Sequence, residues 1–178
     1  MEKLYISPFN FNGIILYHEM QRKGMKIEGF LESNSYLWNK SYAGVGIYQR
    51  CYIPNSRIIV CANKTNTRMA IRNHLLEMGY ENDKIEQLHY SVDILNVFED
   101  ILIDDLLKIF PKTNNALMCW IENVIKLKKM KEENIDVRKI SYEDLFDLNR
   151  KEVFDDKIFL KQCEIIVTNK CSLKCKKC

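Results

Sequence analysis

The first 90 residues alternate between two hydrophobic periods. Lys3 to Ser7 reads as a short strand, and Pro8, Asn10 and Asn12 then mark a turn. Gly13 to Lys23 has a helical pattern, with Leu16 and Met20 on one face and Gly24 placed as its stop. Ile27 to Leu31 is a second strand. The stretch from Ser33 to Pro54 is aromatic but lacks a period, and it reads mostly as loop. Ile58 to Ala62 is an unbroken apolar run of the buried-strand kind. Asn66 to Met78 predicts a helix, with Ile71, Leu75 and Met78 at i, i+4, i+7 and Gly79 as its end. Ile85 to Leu88 is a further strand. Strands separated by helices predict parallel β-α-β units and an α/β fold.

Beyond residue 95 the pattern turns helical. Leu95, Phe98, Leu102, Leu106 and Ile109 keep a 3–4 spacing until Pro111, and Leu117, Trp120, Val124 and Leu127 repeat it in the next helix. Ser141 and Asp144 form a capping-box pattern that opens a third, short helix. Cys163 to Val167 is again strand-like. Three regions are therefore expected: an α/β accessory domain over 1–95, a helical linker over 96–160, and a separate strand-and-loop segment over 161–178.

Composition narrows the function classes. The formal net charge is only +3, which gives nucleic-acid binding no support. The lysines at 126, 128, 129 and 131 read as a solvated helix face. No stretch approaches the roughly 20 apolar residues that span a bilayer, and no secretory signal opens the chain. A cytoplasmic protein is expected, with neither membrane nor nucleic acid as partner. In a reducing compartment the seven cysteines do not predict a disulfide framework.

Four of those cysteines crowd into the last sixteen residues, CEIIVTNKCSLKCKKC. Cys171, Cys175 and Cys178 follow the strand in a C-x3-C-x2-C spacing. Three thiolates on one loop can wrap a compact iron–sulfur cubane and leave one iron without a protein ligand. Lys174, Lys176 and Lys177 favour thiolate over thiol. Two other readings share the spacing. The cysteines could pack as small core residues on one helix face, or hold zinc with Cys163 as a fourth donor. The intervening lysines suit the first poorly, and a strand residue eight positions away is an awkward donor for the second. Cys51, Cys61, Cys119 and Cys163 read as structural.

The segment TNKCSLKCKKC resembles the signature of radical S-adenosylmethionine enzymes: C-x3-C-x2-C after a β-strand, with Thr-Asn ahead of the first cysteine and a Ser-Leu pair within the loop. The resemblance implies that Cys171, Cys175 and Cys178 ligate a [4Fe–4S] cluster. It also implies that S-adenosylmethionine chelates the fourth iron and is cleaved to a 5′-deoxyadenosyl radical, and that Cys163 to Val167 is the first strand of a (β/α) barrel. The position before the last cysteine, aromatic in much of that family, is Lys177 here. The barrel that would carry the chemistry and contact a small-molecule or peptide substrate is expected to lie beyond Cys178, so the chain as given is expected to be inactive alone.

The tract IIVCANKTNTRMAIRNHLLEMGY resembles Rossmann-like domains fused to glycosyl-modifying enzymes and to some radical enzymes of surface-polysaccharide gene clusters. That likeness implies a nucleotide-type or nucleotide-sugar ligand, or a protein partner, for the first domain. The dinucleotide fingerprint itself is absent: the first turn, SPFNFNG, carries one glycine and two phenylalanines. Gly13 and Glu32 are the candidate ligand residues, the latter about where an acidic residue meets a ribose. A non-catalytic metal-binding module, zinc or iron–sulfur, is the alternative for the whole chain. His18, His74 and His89 are scattered and pair with no recognisable nucleophile.

Overall fold

The computed structural model describes residues 2–62, 64–88, 92–110 and 115–139. By contacts the chain divides into a unit over Met1–Ile140 and a second over Ser141–Cys178. The expected third helix after Ser141, the strand Cys163 to Val167 and the cysteine loop all lie outside the described residues.

The first unit is α/β. Its elements run β1 (Lys3–Ser7), α1 (Phe11–Arg22), β2 (Gly29–Glu32), β3 (Lys40–Tyr42), β4 (Val45–Gln49), β5 (Ser56–Val60), α2 (Thr65–Glu77), β6 (Ile85–Gln87), α3 (Ile103–Ile109) and α4 (Asn115–Glu132). The six strands form one sheet in the order β3-β4-β2-β1-β5-β6. Every neighbouring pair is parallel except β3 with β4. Without the antiparallel edge strand, the order β4-β2-β1-β5-β6 is compatible with a Rossmann-like, doubly wound sheet. The three strands expected to be neighbours are so, with β1 between β2 and β5. Gly24 and Gly79 end α1 and α2 in the left-handed region, at φ 72° and 103°, where a side chain is unfavourable.

Two apolar layers sandwich the sheet. On one face Ile6, Phe30, Ile47 and Ile59 meet Ile14 and Leu16 of α1, Leu106 and Ile109 of α3, and Ile121 and Val124 of α4. On the other, Tyr5, Leu31, Ile58 and Val60 pack against Ile71 and Leu75 of α2. Residues up to Val124 thus share the core of the sheet.

The stretch from Ser33 to Pro54, read mostly as loop, contains the β3–β4 hairpin. Its two-residue turn, Ala43-Gly44, holds both residues at positive φ, 51° and 75°, as a hairpin turn matching strand twist requires. Alanine disfavours that conformation. It is held there by the Asp105 carboxylate, which accepts the Ala43 amide at 2.9 Å. The run from Leu95 to Ile109 is not one helix. A 3-10 turn spans Ile94–Asn96, and α3 starts only at Ile103. The Arg22 guanidinium takes the Asn96 carbonyl, and the Tyr42 hydroxyl accepts the Leu102 amide at 3.0 Å. Tertiary partners thus replace the hydrogen bonds that a continuous helix would have made.

His18 lies at the centre of this packing. It is 6 % exposed, and its Nε2 is 2.8 Å from the Tyr42 hydroxyl. That hydroxyl also accepts the Leu102 amide, and which partner donates in the His18–Tyr42 bond follows the ring's tautomer. Burial pulls the His18 pKa down to about 4, against the pull of Asp100 and with the help of Arg22 and Lys128. A folded pKa below the unfolded one means that the unfolded chain binds the proton first. The stabilisation is complete above about pH 6.5 and is lost as pH falls toward 4, up to about 3 kcal/mol. The thermal midpoint should therefore drop between pH 7 and pH 5, and His18→Asn should flatten that part of the profile. An unchanged slope in the variant would remove His18 as its cause.

Candidate functional site

Parallel α/β sheets bind ligands beyond the carboxyl ends of their strands, where the connections diverge. In this sheet that place is the end of β1 between β2 and β5. The sequence-predicted residues do meet there. Asn10 caps α1, its side chain accepting the Gly13 amide at 2.9 Å. A Cβ on Gly13 would lie 2.5 Å from the Pro8 carbonyl oxygen, so the turn closes tightly on itself. Glu32, at the end of β2, is 7 % exposed. One carboxylate oxygen accepts the Phe9 amide at 3.0 Å; the other accepts the amides of Ser33 and Asn34 at 2.7 and 3.1 Å.

Gly13 and Glu32 are thus brought together, but their polar groups serve the fold. In a dinucleotide site the helix N-terminus and the turn amides face phosphate. Here the Asn10 side chain takes the Gly13 amide, the Glu32 carboxylate takes the Phe9 amide, and the Phe9 ring lies against Phe30 and Phe110. A ribose at Glu32 would have to displace backbone amides already bound.

Comparison with protein-family models, with curated proteins and with solved structures returns no match. The side chains themselves are therefore the basis for any reading of the site.

Arg50 is the residue that the sequence did not single out. It follows β4 directly, and its amide donates to the Glu32 carbonyl at 2.9 Å. Its side chain crosses the end of β2 to Ser7, the last residue of β1, where Nε donates to Oγ at 3.1 Å. Ser7 in turn donates to the Leu31 carbonyl at 2.9 Å. Arg50 is 7 % exposed, and no described residue accepts from its Nη1 or Nη2. Burial lowers its pKa, and the nearby charge of Glu32 opposes that shift. No local pattern marks an arginine for burial, so only the tertiary fold reveals it.

The other candidates sort simply. Cys61 is fully buried just past β5, and burial pushes its thiol up to about 12, so it stays protonated and unreactive. Cys51 and Cys119 are exposed. Among the described residues no group of three or more His, Cys, Asp or Glu is placed to hold a metal ion, and no helix is long and apolar enough to cross a membrane. His74 lies on α2 and His18 is in the core; His89, Cys163, Cys171, Cys175 and Cys178 lie outside the described residues. A cleft of about 480 Å³ opens beside Tyr52, Gly79, Tyr80 and Lys84, but at the amino ends of the strands.

Two substitutions test the closed turn. Glu32→Gln keeps the shape but places an amide donor against backbone donors, and should cost about 1–3 kcal/mol. Gly13→Ala drives a methyl into a backbone oxygen and should cost roughly 1–3 kcal/mol. Denaturant unfolding measures both, and wild-type stability in Glu32→Gln would show that the carboxylate's charge is not needed by the turn.

Proposed function

We propose that the chain is the amino-terminal part of a radical S-adenosylmethionine protein, with a Rossmann-like accessory unit ahead of the cluster loop and first barrel strand. The observation that carries this reading is the spacing of Cys171, Cys175 and Cys178 after a strand-like run. The donor set fits the group: three thiolates saturate three irons of a cubane and leave the fourth for a cofactor. With such a cluster bound, the site supplies the electron that cleaves S-adenosylmethionine reductively.

The chain's own residues have narrower tasks. Cys171, Cys175 and Cys178 bind the irons as thiolates, and the neighbouring lysines favour that ionised state. Cys163 is left as a strand residue. The sheet of the first unit supports an accessory role: its strands are short, its first turn is closed, and the described histidines and cysteines form no catalytic constellation.

Anaerobic reconstitution with iron and sulfide tests the proposal. The purified chain should gain the broad visible charge-transfer absorption of a cluster, with iron and sulfide bound in matching amounts. Serine in place of Cys171, Cys175 or Cys178 should abolish it, while Cys163→Ser and Cys119→Ser should retain it. A colourless protein that takes up zinc instead, or a chromophore lost with Cys163 but kept without Cys175, would overturn the assignment.

A further inference from the structure

We infer that Arg50, Ser7 and the amino end of α2 form a binding site for a phosphate-type oxyanion at the carboxyl end of the sheet, on the face opposite the closed first turn.

Strand alternation fixes the face. Tyr5 belongs to the layer that packs on α2, and Ser7, two residues on, points the same way. Since the Arg50 guanidinium reaches Ser7 Oγ, it lies on that face too. The end of the sheet follows from register. Ser7 pairs with Val60, the last residue of β5. Ala62 continues into the same apolar layer, and α2 opens at Thr65. The amino end of α2 and the guanidinium therefore sit at the same end of two adjacent strands, which lie about 4.8 Å apart.

Two independent features point to an anion. The first is the guanidinium itself. A 93 % buried arginine, by its 7 % exposure, has four N–H donors on Nη1 and Nη2 that no described residue accepts. Glu32 is the one carboxylate whose charge acts on it, yet no ion pair forms between them and its oxygens are held by Phe9, Ser33 and Asn34. Among the described residues every buried side-chain nitrogen or oxygen has a partner, so these Nη donors reach the surface, where an anion can meet them. The second feature is α2, a helix of 13 residues whose N-cap, Lys64, makes no side-chain capping bond and whose first turn has no acidic residue. The N-cap side chain thus takes none of the leading amides, and a helix end of this kind suits an anion. Arg68 adds positive charge there, its guanidinium donating to the Ala62 carbonyl and to Thr65 Oγ1.

The guanidinium fork takes two oxygens of one group side by side, and the helix amides take a third. Phosphate has that number of oxygens; a carboxylate has two. Its test does not depend on the cluster.

The full chain is titrated with inorganic phosphate, inorganic pyrophosphate and a nucleoside diphosphate, using calorimetry and amide chemical shifts. Saturable binding is expected, with shifts concentrated at Ser7, Arg50 and residues 64–68. Arg50→Met, which keeps the stem and removes the fork, should weaken binding at least tenfold while preserving the circular dichroism of the fold. Arg50→Lys should weaken it less, because it retains the charge. Tighter binding of the nucleoside diphosphate than of pyrophosphate assigns the anion to a nucleotide; equal affinity assigns it to the free or simple phosphate. The proposal is overturned if none of the three binds, if Arg50→Met binds as tightly as wild type, or if the shifts fall on another face. Should Arg50→Met fail to fold, Ser7→Ala serves in its place, with a several-fold loss expected and unchanged affinity counting against the site.

Discussion

The Glu32 carboxylate is the constraint on which the carboxyl end of the sheet depends. It is a buried charge, and burying a charge without partners costs far more than a single hydrogen bond returns. Three backbone amides meet that cost, one from the β1–α1 turn and two from its own following residues. The consequence is positional. The Phe9 amide fixes where the chain leaves β1, Asn10 then starts α1, and Gly13 lets the helix approach the Pro8 carbonyl. Phe9, held in that place, becomes the aromatic centre that Phe30, Tyr42 and Phe110 pack around. A carboxylate inside the protein thus fills the role that a bound anion fills at the first turn of a dinucleotide site.

A second polar chain, His18–Tyr42–Leu102, does for the hairpin what Glu32 does for the turn. It joins α1, β3 and the approach to α3 through one hydroxyl that hydrogen-bonds the imidazole and accepts a backbone amide. Asp105 and Lys40 complete the attachment: the first accepts the Ala43 amide, and the second donates to the Ile109 carbonyl at the end of α3. Removing one member of such a network leaves the others buried without partners, so the hairpin and α3 should be lost or kept together.

This coupling also explains what could be read from the sequence. The runs KLYIS and RIIV are apolar over consecutive positions, the local signature of buried parallel strands, and β1, β2 and β5 stand where that signature puts them. The hairpin β3–β4 has no such signature. Its turn depends on a left-handed alanine secured by a residue 62 positions away. The 3–4 spacing after Leu95 holds only in part as a pattern of burial: Phe98, Leu106 and Ile109 reach the core while Leu102 is exposed, and backbone bonds there are taken by Arg22 and Tyr42. At the site, Gly13 and Glu32 were visible because position relative to a predicted turn is a local property. That their partners are protein amides is not. Arg50 was hidden for the opposite reason: its meaning lies in what surrounds it after folding. The cysteine loop is an expectation from spacing alone and lies outside the described residues.

The two charged side chains at the strand ends need different explanations. Glu32 is saturated by backbone donors, so the fold itself accounts for its burial. Arg50 is not saturated. Its single side-chain bond, to Ser7, uses one of five donors. An apolar side chain of similar length would fill the same space between β4 and β1 without the desolvation of a guanidinium, and replacing buried ionic groups by apolar ones is often neutral or stabilising. The Nη donors of Arg50 reach the surface at the same end of the sheet as the start of α2, which is where the proposed anion would meet them. The first turn, where a doubly wound sheet would ordinarily receive phosphate, is closed by Glu32 and Asn10. A helix terminus offers about half a unit of positive charge; Arg50 adds a full unit on the opposite face. With the first turn closed, the Arg50 guanidinium, bonded to Ser7, is the charged group that the opposite face of the same strand ends offers to the proposed anion.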